Sequence, residues 1–313
     1  MAEAIVLIGC KGQTQEAEYL DVLATAMPEE RIVPFRLMEQ AERDATQVAI
    51  VANPDPAEVA ALPNLVWVQS LWAGVERLVS AFDRPLPIVR LVDREMARTM
   101  AEAVLAWTYY LQRDMPAYAR QQRAGLWRPH PYRKPADTTV GLLGLGALGI
   151  AAAERLLGAG FRVTGWSRSP KSVPGIEALH GMEALPTMLG RCDILVCLVP
   201  LTPDTRGLVN AERLAALKPG ASLINFARGP IVATADLIAA LDSGHLAHAV
   251  LDVFEVEPLP AESPLWSHPG VTVLPHISGP TDMPSAAGTV ADNLRVYRRT
   301  GQPPQGIDTA RGY

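Results

Sequence analysis

The sequence predicts an α/β protein built from two parallel sheets, each covered by helices. Three observations carry that prediction. Short apolar runs alternate with helical patterns through the first third of the chain. A second alternating series begins at Thr139. A glycine-rich turn, Gly144-Leu145-Gly146-Ala147-Leu148-Gly149, lies between a strand pattern and a helix pattern in that series. The length of 313 residues suits two domains. Hydrophobic residues at 49% and charged residues at 19% make a globular composition and exclude a disordered chain.

The elements follow in order. Ile5–Ile8 is a short apolar run that reads as a strand, and Glu16–Met27 has apolar residues at helical spacing. Val48–Val51 is a second strand, followed by a turn at Asn53-Pro54-Asp55-Pro56. Leu65–Gln69 and Ile88–Leu91 are two more strands. One long helix is expected from about Thr99 to Arg123, with Val104, Leu105, Trp107, Tyr110 and Leu111 on one stripe. The segment Trp127-Arg128-Pro129-His130-Pro131-Tyr132-Arg133-Lys134-Pro135 is too rich in proline for a helix or a central strand. It is expected to cross between domains or to reach a partner subunit. The second series predicts strands at Thr139–Leu143, Arg162–Gly165, Ile194–Leu198, Ser222–Asn225, His248–Leu251 and Thr272–Leu274. Helices are expected at Leu148–Ala159, Met182–Leu189, Ala211–Ala216, Thr234–Ser243 and Met283–Thr300. Such alternation with short loops implies parallel pairing.

Composition also bounds the function. A net charge of -5 disfavours a nucleic-acid binder. The cysteines, Cys10, Cys192 and Cys197, are odd in number and form no CxxC pair, which argues against a disulfide scaffold or a structural zinc site. Cys192 and Cys197 are expected to pack as small hydrophobes. The run from Ala4 to Gly9 lacks a basic flank and is too short for a signal peptide. No apolar stretch of roughly 18 residues occurs, so no membrane partner is expected and the cytoplasm is the expected compartment. No metal-binding spacing is present, and a metal-dependent lyase or hydrolase is disfavoured.

The strand–turn–helix setting of the glycine-rich turn is that of a dinucleotide site. Gly144 would permit the tight turn. Gly146 would let the backbone approach a pyrophosphate, with Ala147 and Leu148 in the first helical turn. Gly149 would let helix and strand pack closely. The next strand ends at Gly165-Trp166-Ser167-Arg168-Ser169-Pro170-Lys171. A carboxylate there would bond the ribose 2′-hydroxyl of NAD and repel a 2′-phosphate. None is present; Ser167, Arg168, Ser169 and Lys171 offer hydroxyls and positive charge, which favours NADP(H).

Three further segments each follow an apolar strand: Asn225-Phe226-Ala227-Arg228-Gly229, Leu251-Asp252-Val253-Phe254-Glu255-Val256-Glu257-Pro258, and Leu274-Pro275-His276-Ile277. In an open parallel sheet ligands bind at the carboxyl ends of strands, so Arg228, Glu257 and His276 are expected to converge beside the cofactor. With the glycine-rich turn, these segments and their spacing resemble the D-isomer-specific 2-hydroxyacid dehydrogenases over essentially the whole chain. Trp166-Ser167-Arg168-Ser169, Ser263-Pro264-Leu265-Trp266, Leu126-Trp127-Arg128-Pro129 and the end Asp308-Thr309-Ala310-Arg311-Gly312-Tyr313 resemble the glyoxylate/hydroxypyruvate reductase A subgroup.

The resemblance implies two doubly wound, Rossmann-like domains with the active site in the cleft between them. It implies a substrate domain of residues 1–99 with 285–313, and an NADP-binding domain of residues 100–284. The implied reaction is hydride transfer from NADPH to a small 2-ketoacid such as glyoxylate or hydroxypyruvate. His276 would donate the proton to the carbonyl oxygen. Glu257 would hold the imidazole and balance its charge. Arg228 would grip the substrate carboxylate and carbonyl. The family pattern selects Glu257, before Pro258, over Glu255 and Glu262. The loop Trp72-Ala73-Gly74-Val75 resembles the one whose backbone meets the substrate carboxylate. Trp72 stands where many relatives carry a small residue, and either lines the pocket or packs on a neighbouring helix. Pro200, Leu201, Thr202, Ala227 and Asp252 are implied at the cofactor, with Asp252 at the nicotinamide carboxamide or capping the turn that follows it. A homodimer is implied, with the Trp107–Leu111 helix and the proline-rich arm at its interface. His130, His180, His245, His248 and His268 are expected in loops, turns or helix ends, without a catalytic role. Two other functions remain in view: a reductase of larger 2-ketoacids such as phenylpyruvate, and an NADP(H)-sensing binding protein or corepressor.

Overall fold

The computed structural model describes residues 3–9, 12–79 and 86–308; Cys10 and residues 309–313 of the terminal motif lie outside them. The chain divides into two compact units, Met1–Glu95 with Thr281–Tyr313, and Met96–Pro280.

The first unit holds β1 (Ile5–Ile8), α1 (Gly12–Ala26), β2 (Ile32–Pro34), α2 (Gln40–Ala45), β3 (Val48–Val51), α3 (Pro56–Ala60), β4 (Trp67–Ser70), α4 (Glu76–Val79) and β5 (Ile88–Val89). The strands form one parallel sheet in the order β2-β1-β3-β4-β5. β1 and β3 are apolar at every position because helices cover both faces of the sheet. The edge strand β2 escaped the sequence reading: it is three residues long and ends on Pro34, which an edge tolerates.

The helix expected from Thr99 to Arg123 is two helices, α5 (Arg94–Gln112) and α6 (Met115–Arg123). Asp114 between them has φ 54, a left-handed backbone that ends α5. Pro116 then sits in the first turn of α6, where its missing N–H leaves no hydrogen bond unmade. The proline-rich arm that follows is irregular, and Trp127 on it is fully exposed.

The second unit continues with β6 (Thr139–Leu143), α7 (Ala147–Gly158), β7 (Arg162–Ser167), β8 (Glu177–His180), α8 (Leu185–Leu189), β9 (Ile194–Cys197), α9 (Ala211–Ala215), β10 (Ala221–Asn225), α10 (Thr234–Asp242), β11 (Leu246–Leu251) and β12 (Val271–Val273). The last helix, α11 (Met283–Thr300), returns the chain to the first unit. The seven strands are all parallel, in the order β12-β11-β10-β9-β6-β7-β8. Side chains alternate between two cores. Leu143, Leu195, Cys197, Leu223 and Ala249 pack toward α8, α9 and α10. Val140, Leu142, Val196, Ile224 and Val250 pack toward α5 and α7. Two apolar faces under two helical layers make this sheet doubly wound. β8, half exposed at the edge, is a second strand that the sequence pattern did not mark.

Cys192 and Cys197 are buried in the core, and burial pushes both thiols up to about 12, which leaves them inert. His248, expected at the start of a strand and grouped with the histidines of loops and helix ends, lies inside β11 and is 4% exposed. Burial, and then the nearby Arg120 and His268, push its imidazole down from 6.5 to about 4. The unfolded chain therefore binds one more proton than the native state between those two values. Stability conferred by the neutral ring is complete above about pH 6.5 and is lost as pH falls toward 4, by roughly 3 kcal/mol at most. Urea midpoints should fall more steeply across that window in the native sequence than in His248→Gln. Parallel pH profiles would contradict this.

Among the described residues no helix is long and apolar enough to cross a membrane. None of them form a group of three or more His, Cys, Asp or Glu able to hold a metal ion.

Candidate active site

The order of the second sheet reverses at β6, with β9 on one side and β7 on the other, and the glycine-rich turn leaves β6 at that switch point. Gly144 has φ +119, and a Cβ there would stand 2.8 Å from the carbonyl carbon of Leu198, just past β9. A Cβ on Gly149 would stand 1.9 Å from the Gly144 carbonyl oxygen, so helix α7 can start this close to the turn only with glycine. Gly146 is the N-cap of α7, offers no capping side chain, and faces open space where a Cβ would sit. The first N–H groups of α7, from Ala147 and Leu148 onward, thus meet a place that a pyrophosphate fits.

The neighbouring loops frame this turn. Ser167 ends β7, is buried, and donates its hydroxyl to the Ser169 carbonyl at 2.7 Å. Arg168, Ser169 and Lys171 are exposed beyond it. The Arg168 guanidinium lies 3.7 Å from the Asp204 carboxylate, on the loop after β9. That loop carries Pro200, Leu201 and Thr202 and is closed by Thr205, which sequence reasoning did not single out. The Thr205 hydroxyl donates to the Pro200 carbonyl at 2.6 Å and accepts the Thr202 N–H at 2.7 Å.

Arg228, Glu257 and His276 follow the adjacent strands β10, β11 and β12. The loop of Arg228 is fixed by Asn225, a buried residue whose role no spacing along the chain announces. Its side-chain amide donates to the Arg228 carbonyl at 3.0 Å and accepts the Ala227 N–H at 3.2 Å. The Arg228 guanidinium donates to the Ala227 carbonyl at 2.7 Å. Gly229 lets this loop meet the next: a Cβ there would stand 2.0 Å from the Phe254 carbonyl carbon.

His276 has φ 56, a left-handed backbone that costs a non-glycine residue roughly 1–2 kcal/mol. Asp252, buried at the end of β11, holds that backbone. Its carboxylate accepts the N–H groups of Ile277 at 2.7 Å and Ser278 at 2.8 Å. Asp252 thus anchors the loop that follows the neighbouring strand rather than the turn after its own. One Glu257 oxygen accepts the Phe254 N–H at 2.9 Å, and the other lies 2.7 Å from His276 Nδ1. The imidazole is half exposed at 51%, and the carboxylate on Nδ1 leaves Nε2 to meet a substrate. An imidazole oriented by a carboxylate, beside an arginine on the next loop, can pass a proton to an oxygen and bind an anion.

Trp72, Ala73, Gly74 and Val75 lie in the first unit after β4. The Ser70 hydroxyl, another feature the sequence did not reveal, accepts the Trp72 N–H at 3.0 Å and donates to the Trp72 carbonyl at 2.9 Å. Trp72 is half-buried against the core cluster that includes Ala287 and Val290 of α11, and Val75 is buried.

Comparison with known proteins places this geometry in context. Residues 105–278 match the family model of the D-isomer specific 2-hydroxyacid dehydrogenase, NAD binding domain. A D-isomer specific 2-hydroxyacid dehydrogenase from Xanthobacter autotrophicus Py2, solved with NADPH and MES, is 42% identical over 100% of both chains, with a TM-score of 0.93. An NADPH-dependent glyoxylate/hydroxypyruvate reductase from Sinorhizobium meliloti, solved with NADP and sulfate, is 35% identical, with 99% of this chain and 100% of that one covered and a TM-score of 0.90. A D-isomer specific 2-hydroxyacid dehydrogenase family protein from Klebsiella pneumoniae 342 is 36% identical over 98% and 97% of the two chains, with a TM-score of 0.85.

Proposed function

Because the chain belongs to the D-isomer-specific 2-hydroxyacid dehydrogenases, we propose that it is an NADPH-dependent reductase of small 2-ketoacids, taking glyoxylate to glycolate and hydroxypyruvate to D-glycerate. The observation that carries the reading is the Glu257–His276 pair at 2.7 Å, on strand ends next to the loop of Arg228.

NADPH, when bound, supplies the hydride. Residues 100–284 are its domain, with the phosphates at Gly144, Gly146, Ala147, Leu148 and Gly149. The 2′-phosphate falls to Ser167, Arg168, Ser169 and Lys171, and the nicotinamide side to Pro200, Leu201, Thr202, Ala227, Asp252 and His276. Residues 1–99 with 285–313 form the substrate domain, and the backbone of Trp72, Ala73, Gly74 and Val75 meets the ketoacid carboxylate. Arg228 holds the carboxylate and carbonyl in place and stabilises charge that develops on the oxygen. His276 delivers a proton from Nε2 to that oxygen while Glu257 holds Nδ1. Cytoplasmic reduction is in keeping with two buried free thiols. A homodimer is in keeping with the exposed Trp127 on its arm; a monomeric mass in light scattering would refute it.

The test is oxidation of NADPH and NADH with glyoxylate, hydroxypyruvate and phenylpyruvate. Rapid turnover of the two small acids with NADPH is expected. Tight NADPH binding with no turnover of any ketoacid would replace the enzyme reading with a sensing protein. Arg168→Ala should raise the KM for NADPH by about tenfold or more and leave that for NADH nearly unchanged. Equal losses for both cofactors would remove Arg168 from the 2′-phosphate.

A further inference from the structure

A second polar cavity, in the same unit, lies between α6, β11, β12 and the loop that precedes β12, and includes neither the glycine-rich turn nor His276. Its volume is about 180 Å³. That is room for a few waters at ~30 Å³ each, or for one small polyatomic ion. Arg120 and Arg123, neighbours on one face of α6, both line it. Arg120 donates to the Pro269 carbonyl at 3.2 Å. Among the described residues neither guanidinium forms an ion pair with a carboxylate. His268 also lines the cavity, with Nε2 at 3.2 Å from the exposed Asp242 carboxylate and Nδ1 accepting the Gly270 N–H at 3.0 Å.

His248 lies against the same cavity and is 4% exposed. Its Nε2 meets the Thr272 hydroxyl at 2.8 Å, while its buried Nδ1 has no hydrogen-bond partner among the described residues. Such atoms are exceptions in folded proteins. The Tyr110 hydroxyl lies 3.5 Å from that of Thr272. When Tyr110 donates to Thr272 and Thr272 donates to Nε2, the neutral ring carries its hydrogen on Nδ1. Burial beside Arg120 and His268 keeps the ring neutral near pH 7 and so maintains this donor.

We propose that this cavity binds a small oxyanion of the phosphate or sulfate type, held by Arg120 and Arg123 beside the buried imidazole of His248. Paired guanidinium forks match the oxygens of such an anion in geometry and charge. The chain as a whole is acidic, at -5, so two arginines without carboxylate partners around a buried imidazole are a local feature and not general basicity.

Inorganic phosphate titrated into the NADPH-saturated protein, followed by calorimetry, tests it. NADPH covers the glycine-rich turn and Arg168, and Arg228→Ala, in which the isotherm should persist, controls for anion binding at Arg228; should NADPH fail to bind, the same titration is run on Arg168→Ala. The expected result is a saturable one-site isotherm in which sulfate competes and chloride at equal ionic strength does not. Arg123→Ala and Arg120→Ala should each weaken it about tenfold or more. Both side chains are on exposed residues, and circular dichroism checks that the variants fold. An isotherm that does not saturate, or equal affinity in the native sequence and Arg123→Ala, overturns the proposal.

Discussion

Replacing His276 with alanine is expected to lower kcat for glyoxylate by on the order of 10²–10⁴-fold, the range for loss of a positioned proton donor. NADPH affinity should change little, because the glycine-rich turn and the loop of Arg168 are elsewhere in the sheet. The left-handed backbone at His276 needs control, since the ring and the loop conformation could be confused. His276→Asn provides it: asparagine visits that backbone region more readily than most residues, yet cannot serve as the acid. A comparable collapse of kcat in both variants assigns the loss to the imidazole. Near-native turnover in either would remove His276 from the proton transfer.

The second large effect is expected at Gly149. Alanine there gains about 1 kcal/mol of intrinsic helix preference over glycine. Its Cβ, however, would stand 1.9 Å from the Gly144 carbonyl oxygen, and the obstacle is backbone, which cannot rotate aside. Overpacking of this kind costs about 1–3 kcal/mol or more, so the clash outweighs the preference. Relief by displacing α7 moves its first N–H groups away from the phosphates they would bind. Gly149→Ala should lower the thermal midpoint and weaken NADPH binding by about tenfold to a hundredfold. Gly158, in the same helix, has nothing within 4 Å of a Cβ. Gly158→Ala is therefore expected to be neutral or slightly stabilising. Equal behaviour of the two variants would mean that the close approach at Gly149 does not govern the site.

The boundaries of structure show where sequence patterning stops. Strands buried on both faces, such as Ile5–Ile8 and Ile194–Cys197, announce themselves as apolar runs. The edge strands Ile32–Pro34 and Glu177–His180 bury little and so carry no such signal. Pro116 was the overlooked mark of the break between α5 and α6, because apolar spacing continues across it. His248 begins the apolar run that marks its strand, and only its partner Thr272, on the neighbouring strand, shows that it lies inside the sheet rather than at a strand end.

The candidate site divides along the same line. Legible from the residues alone were the two parallel-sheet patterns, the glycine-rich turn, the missing carboxylate before Arg168, and the strand-end positions of Arg228, Glu257 and His276. Each of these depends on residue type and on spacing along one segment. Tertiary structure alone decided what holds them. Asn225 fixes the Arg228 loop, Gly229 admits the Phe254 backbone, Asp252 clamps the loop of His276, and Thr205 and Ser70 close two further loops. Several of these contacts join residues that only strand pairing brings together, and the rest depend on how a loop closes on itself. A hydrogen bond of about 3 Å depends on that register to within tenths of an ångström, which periodicity along the chain does not encode.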